Sequence, residues 1–313
     1  MMMRAAYIKE YGNEEKLIVG DVPAPSVGDN QVLIKVKGAG INPIDWLIRD
    51  GFLAEQNVHT LPIILGWDAA GIVLQRGRNV TDLDIGQAVY VYAPIHEQGT
   101  YSEYISVDSQ YVAAIPQSLD LLTAAAVPLA ASTAWQALTQ GCQLKSGDKV
   151  LIHNASGGVG SFAVQIAKAL GAYVIATASA KNRDFVIGLG ADEFIDYRTQ
   201  NFEQLTQNLD AVLVAVGGDD LVSRSLNVIK AGGYLVSLLD EIDEQLAKAK
   251  NIHYQRWMVM PNADDLKDIS ALIDAGQIKV HIDRVFKLDQ IKEAHILSQS
   301  KRARGKIIIN MST

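Results

Sequence analysis

The sequence predicts an α/β fold: a doubly wound parallel sheet, with a separate β-rich domain ahead of it. Three observations predict it. Residues 149–171, KVLIHNASGGVGSFAVQIAKALG, read as a strand, a glycine-rich turn and a helix. Short apolar runs then alternate with helical segments as far as residue 260. Residues 1–120 instead carry short strand-like runs punctuated by glycine.

In chain order, residues 32–37, 88–93 and 101–107 are the clearest early strands. Between them, Asn42-Pro43-Ile44-Asp45 opens a helix that runs through Trp46 and Arg49 to Gly51. Asn42 sits at the N-cap, Pro43 at the first helical position and Asp45 where a capping box closes. Residues 121–141 form a helical, alanine-rich segment around Pro128 and Thr133. Strands of the parallel sheet follow at 149–153, 173–177, 194–196, 210–216, 234–238 and 256–260. The helix after the first presents Val159, Phe162, Ala163, Ile166, Ala167 and Leu170 on one face, and Gly171 stops it. Gly232-Gly233 is expected to stop the helix before the fifth strand. Asn262 then caps a helix that ends at Gly276, and a strand near Val285, a helix from Asp289 and a strand at 306–310 close the chain. These last elements fit a return onto the first domain. The expected division is therefore 1–120 plus 263–313, and 121–262.

Composition limits the function. With 313 residues and 49% hydrophobic content, the chain can bury a large core in two domains. A net charge of −7 argues against nucleic acid or an anionic membrane as partner. The local exception, Lys301-Arg302-Ala303-Arg304-Gly305-Lys306, reads as a solvated basic turn. Residues 119–138 are too interrupted by Asp120 and Pro128 to span a membrane. Cys142 is the one cysteine, so internal disulfides are excluded. The start, MMMRAAYIKEYG, lacks a signal-peptide core, and a cytoplasmic location is expected. None of the six histidines has a histidine or cysteine at metal-ligand spacing, and there is no G-x-S-x-G nucleophile elbow.

The glycine turn points to a dinucleotide. Ala155, Ser156, Gly157, Gly158, Val159 and Gly160 would cradle a pyrophosphate at a helix N-terminus, although Ala155 replaces the first glycine of the usual fingerprint. The second strand ends in Ala178-Ser179-Ala180-Lys181-Asn182-Arg183, with no carboxylate to hold ribose hydroxyls. Cations and a hydroxyl there favour a 2′-phosphate, hence NADPH over NADH. The alternative is that Lys181 and Arg183 are only a solvated helix turn. The carboxyl edge of the sheet also includes Val216, Gly217 and Leu238, where a ligand is expected to lie.

Taken together, RAAYIKEYG, GAGINPIDWLIRDG, GWDAAGIV, GQAVYVYAP, PLAASTAWQAL, NASGGVG, LGADEFIDY and RGKIII resemble the zinc-independent medium-chain dehydrogenases/reductases of the NADPH:quinone or enone oxidoreductase type. The resemblance covers nearly the whole chain. It implies a GroES-like barrel domain built from both chain ends around a Rossmann domain. It further implies hydride transfer from NADPH to a quinone or to the C=C bond of an α,β-unsaturated carbonyl, without metal. Zinc-dependent members carry a cysteine near the position of Asn42, and Gly-His-Glu where this chain has Gly66-Trp67-Asp68.

By motif, Asn42 and Thr133 match residues at the nicotinamide and substrate carbonyl, so Asn42 either caps its helix or reaches the cleft. Ser179 and Lys181 match the 2′-phosphate pocket, Tyr197 packs nearby, and Lys181 and Arg183 can exchange roles. Leu47 stands where some enone reductases carry a lysine. Trp46, Trp67, Tyr92 and Tyr101 line a substrate pocket or fill the core. A homodimer is expected through an edge strand near residues 256–260. The competing functions are an NADPH-binding sensor or structural protein with little turnover, and a zinc-type alcohol dehydrogenase.

Overall fold

A computed structural model describes residues 1–218 and 220–312. Strands β1 (Met2–Ile8), β2 (Ile18–Pro23), β3 (Gln31–Ile41), β4 (Ile63–Ile64), β5 (Asp68–Arg76), β6 (Ala88–Tyr92), β7 (Tyr104–Asp108) and β8 (Val112–Ala114) come first. Then come β9 (Lys149–His153), β10 (Tyr173–Ala178), β11 (Glu193–Asp196), β12 (Leu209–Val214), β13 (Ile229–Ser237) and β14 (His253–Arg256). The chain closes with β15 (Ile282–Lys287) and β16 (Lys306–Asn310). Two compact units result: Met1–Ser132 with Met260–Asp274 and Val280–Thr313, and Thr133–Val259 with Ala275–Lys279.

In the first unit, a sheet runs β15-β16-β3-β5-β6-β8, with β7 also paired to β3. A smaller sheet runs β2-β1-β4. The C-terminal strand β16 lies antiparallel to β3, with Ile307 opposite Ile41. This pairing brings the start of β16 to the end of β3, where Asn42 follows. Residues 121–132, expected in the second domain, lie in this unit. Their helical segment breaks into Leu121–Ala124, Pro128–Gln136 and a π-helical turn Ala137–Gly141. Proline has no N–H for a continuing helix, which accounts for the break at Pro128.

The second unit is a six-stranded sheet in the order β11-β10-β9-β12-β13-β14, parallel throughout. This is the order of a dinucleotide-binding fold, with its switch point between β9 and β12. Leu151, Ile175, Val212 and Leu235 belong to one buried cluster under the sheet. The helix Gly158–Ala169 is buried from Gly160 to Ala167, wider than the single face expected. Residues 275–279 cover part of it: the Gln165 amide donates to the Lys279 carbonyl at 3.0 Å and accepts from its N–H at 2.8 Å.

Two strand expectations need correction. Gly232-Gly233 does not stop a helix but lies inside β13, which starts at Ile229. Gly232 has φ +82°, and the pairing with β12 shifts register at this point. The helix before it is only Leu221–Ser225. The sixth strand of the parallel sheet is His253–Arg256, not 256–260. Pro261 and the exposed Met258 and Met260 lie beyond the paired segment.

Candidate active site

In the second unit, β9 ends at His153 and the chain turns through Asn154, which has φ +58°. Asn154 therefore supplies the left-handed residue of the turn, and Ala155 has no need to be glycine. Ala155 is fully buried, and its N–H donates to the Thr177 carbonyl at 3.0 Å. Gly160 has a different constraint. A Cβ there would lie 2.1 Å from the Asn154 carbonyl oxygen and 2.8 Å from Ala155 Cα. Helix and strand approach too closely for any side chain. Among the described residues no side chain caps this helix, so its first N–H groups remain available to an anion.

The second half of the expected cofactor site meets the first. Asn182 Nδ2 donates to Ser156 Oγ at 3.0 Å and lies 3.4 Å from Ser179 Oγ. Sequence reasoning passed over Asn182, which bridges the pyrophosphate turn and the end of β10. Lys181 and Arg183 are exposed, and the Arg183 guanidinium lies 5.9 Å from the Phe194 ring centroid. Tyr197 is exposed, with the Arg198 guanidinium 5.8 Å from its ring centroid. Asp196, opposite Ala178, accepts from the Arg198 N–H and the Thr199 hydroxyl. Val216 and Gly217 follow β12, where the Asp240 carboxylate accepts from the Gly218 N–H at 2.6 Å. The Leu238 N–H donates to the Val214 carbonyl at 3.1 Å. These residues line the carboxyl edge of the sheet, where such folds take ligands.

His153, at the end of β9, is fixed as a neutral ring. Burial first, and Arg224 second, push it down to about 3. Its Nδ1 lies 3.1 Å from Thr177 Oγ1 and its Nε2 3.3 Å from Ser225 Oγ. It ties strands to a helix.

In the first unit, Asn42 is 3% exposed. Asp45 accepts from the Asn42 backbone N–H at 2.7 Å, which is the returning half of a capping box. The Asn42 amide also meets two charged groups. Its Nδ2 donates to Asp68 Oδ2 at 2.8 Å, and its Oδ1 accepts from Lys306 Nζ. Asn42 therefore stands at the N-cap, as expected, and its amide is tied at the same time to two charged partners. Lys306 corrects the reading of a solvated basic turn. It is 3% exposed and donates to Asp68 Oδ2 at 3.2 Å and to the Ile41 carbonyl at 3.1 Å. Asp68 Oδ1 accepts the Leu129 N–H at 2.6 Å. Asp45 accepts from the Tyr101 hydroxyl, and burial pushes its carboxyl up to about 7. Trp67, Tyr92 and Tyr101 are buried within this unit, and Trp46 is half-buried. Thr133 lies near the end of the helix Pro128–Gln136, where the chain enters the second unit, and is 6% exposed.

Residues 28–117 match the family described as alcohol dehydrogenase GroES-like domain, and residues 189–309 match zinc-binding dehydrogenase. The NADPH-dependent alkenal/one oxidoreductase of Arabidopsis thaliana is 32% identical over 98% of this chain and 79% of its own. The chain belongs to the medium-chain dehydrogenase/reductase superfamily. Tomato (Solanum lycopersicum) 2-methylene-furan-3-one reductase is 33% identical, with the same coverage of both chains. The solved quinone oxidoreductase of Coxiella burnetii superposes with a TM-score of 0.93 at 33% identity, and each chain is covered in full.

The zinc implied by one family description does not fit this medium-chain reductase. The metal prefers thiolate, imidazole and carboxylate ligands. Asn42 and Trp67 offer neither of the first two at the positions expected for ligands. The carboxylate that does stand there, Asp68, is already in contact with the Lys306 ammonium. Among the described residues, no group of three or more acidic, histidine or cysteine side chains is placed to hold a metal. A nicotinamide dinucleotide does fit. The close approach at Gly160 sets the helix N-terminus directly after β9, and Ser156 and Ser179 converge on Asn182 at the end of β10.

Proposed function

We propose that this protein is an NADPH-dependent reductase of quinones or of the C=C bond in α,β-unsaturated carbonyls. The observation that carries the reading is the end of β10. Ser179 is joined through Asn182 to the phosphate turn, with exposed Lys181 and Arg183 beside it and no carboxylate among residues 178–183. The first N–H groups of the helix Gly158–Ala169 would meet the pyrophosphate, and the hydroxyl and cations the 2′-phosphate. When bound, NADPH supplies the hydride. The Arabidopsis and tomato relatives are named for reduction of conjugated carbonyl compounds, which supports this substrate class.

The chain's own contribution is to bind and to stabilise charge. As negative charge grows on the substrate oxygen, the Asn42 amide donates to it. One Nδ2 hydrogen is engaged by Asp68, and the second has no acceptor among the described residues. Thr133 is proposed as a contact for the nicotinamide end. Buried Tyr101 is a poor proton donor: burial and Asp45 raise its hydroxyl well above the usual phenol value. Solvent is then the simpler proton source.

Two further readings extend the proposal. Among the described residues the edge strand β14 pairs with β13 alone, and its other side could take a second copy, which supports a homodimer. A cytoplasmic, reducing location is proposed on the single buried thiol, Cys142, and cell fractionation would test it. The activity itself is tested by following NADPH consumption against quinones, enones and enals with products identified. Turnover with conjugated acceptors is expected. Cofactor binding without turnover across that panel would overturn the reading.

A further inference from the structure

Lys306 is a buried cation with every donor spent. Its three N–H groups meet three oxygens: the Ile41 carbonyl, Asn42 Oδ1 and Asp68 Oδ2. Three acceptors saturate an ammonium, which leaves no hydrogen for a substrate. Asp68, fully buried, accepts from Lys306, Asn42 and the Leu129 N–H. The Asn42 amide lies between the two charges, its oxygen on the cation and its nitrogen on the anion. One contact alone would let the amide pivot about the Asp68 hydrogen bond, whereas two fix its plane. The ammonium also offsets the Asp68 charge, which would otherwise oppose negative charge developing nearby.

We propose that Lys306 is a positioning residue for the reaction. A cation carried on the last strand clamps the Asn42 amide, so that the hydrogen Asp68 does not take is presented to the substrate oxygen. The inference rests on Asn42 as the donor to that oxygen, and it places the cation of this site in the chain itself. The register of β16 against β3 sets the clamp, since Lys306 immediately precedes Ile307, the partner of Ile41.

The test is a double-mutant cycle on kcat with Asn42→Ala and Lys306→Gln, alongside KM for NADPH and thermal melting. Removing an oxyanion donor costs about 10²–10³ in rate, which bounds the effect. Lys306→Gln is expected to lower kcat about tenfold or more and to leave KM for NADPH within about twofold. On the Asn42→Ala background it should add about twofold at most. An unchanged kcat in Lys306→Gln, or a loss that adds in full to that of Asn42→Ala, overturns the clamp. Unchanged kcat in Asn42→Ala alone would instead remove the donor reading beneath it. If Lys306→Gln fails to fold, because Asp68 is left buried and unpaired, the cycle is run on Asp68→Asn/Lys306→Gln, which removes both charges. There the melting temperature should recover while kcat stays low. Recovery of both to wild-type values would reduce the trio to a structural role and sink the proposal.

Discussion

Asn154 and Ala155 show how a single backbone angle decides what a motif requires. The usual fingerprint puts a glycine where Ala155 stands, and the substitution weakens the motif on paper. In the fold, the left-handed residue is Asn154, a residue type that tolerates that region, and Ala155 packs into the core. Burial without charge is the rule for His153, with consequences for acid stability. Its folded value is about 3, against 6.5 for a free imidazole. Between those values the unfolded chain binds a proton that the fold refuses. The His153 contribution is therefore present above pH 6.5 and is lost as pH falls towards 3. His295, pushed down to about 3 by burial and then Arg49, acts in the same direction. Asp45, raised to about 7, acts in the opposite direction between about 7 and 3.8, since the fold holds its proton longer than the unfolded chain does. Two histidines against one carboxyl leave a net loss of stability on acidification below pH 6.5. His153→Gln should flatten the pH dependence of the urea midpoint between pH 6.5 and 4 by about one proton's worth. An unaltered slope would show that the ring is charged in the fold.

At the scale of elements, the turn between β9 and its helix is the part with least tolerance. Gly160→Ala places a methyl against backbone atoms of Asn154 and Ala155, which can give way only if strand and helix separate. Overpacking of this kind costs about 1–3 kcal/mol, and here it also displaces the N–H groups offered to the pyrophosphate. Affinity for NADPH, read by fluorescence titration, should fall by about tenfold or more with a lower melting temperature. Gly188→Ala, where a Cβ meets nothing within 4 Å, should leave both nearly unchanged and serves as the control. Equal behaviour of the two variants would contradict the close approach.

The parallel strands were readable in the sequence because runs such as that of β12 are apolar on both faces. The start of β13 was not readable, since Gly232-Gly233 resembles a helix stop and lies instead at a register shift. Lys306 was hidden for a similar reason. A run of four basic residues in six reads as solvated, and only the pairing of β16 with β3 shows that the last of them turns inward. Asn182 carried no signal of its own, because its role depends on two serines 26 and 3 residues away.

For the whole molecule, the proposal gives each of the two units its own part of the chemistry: a charge clamp on Asn42 in one, and a phosphate cradle in the other. The acidic balance of −7 does not extend to the end of β10, where cations stand. Assembly is a separate question with its own test. Arg256→Pro, at the end of β14, removes a backbone donor from the open side of the edge strand, since it is the next residue, Trp257, whose N–H donates to the Ser237 carbonyl in β13. Sedimentation should shift from dimer to monomer in that variant, whereas a monomeric wild type would remove the edge-pairing proposal.

Cofactor choice probes the end of β10 most directly. The decisive measurement is kcat/KM for NADPH and for NADH with one conjugated enone, in the wild type and in Ser179→Ala and Lys181→Ala/Arg183→Ala. A charge-assisted hydrogen bond is worth about tenfold or more. The wild type should prefer NADPH, and both variants should lose activity with NADPH by about tenfold or more while activity with NADH changes little. A wild-type preference for NADH, or equal losses with the two cofactors, would contradict the account.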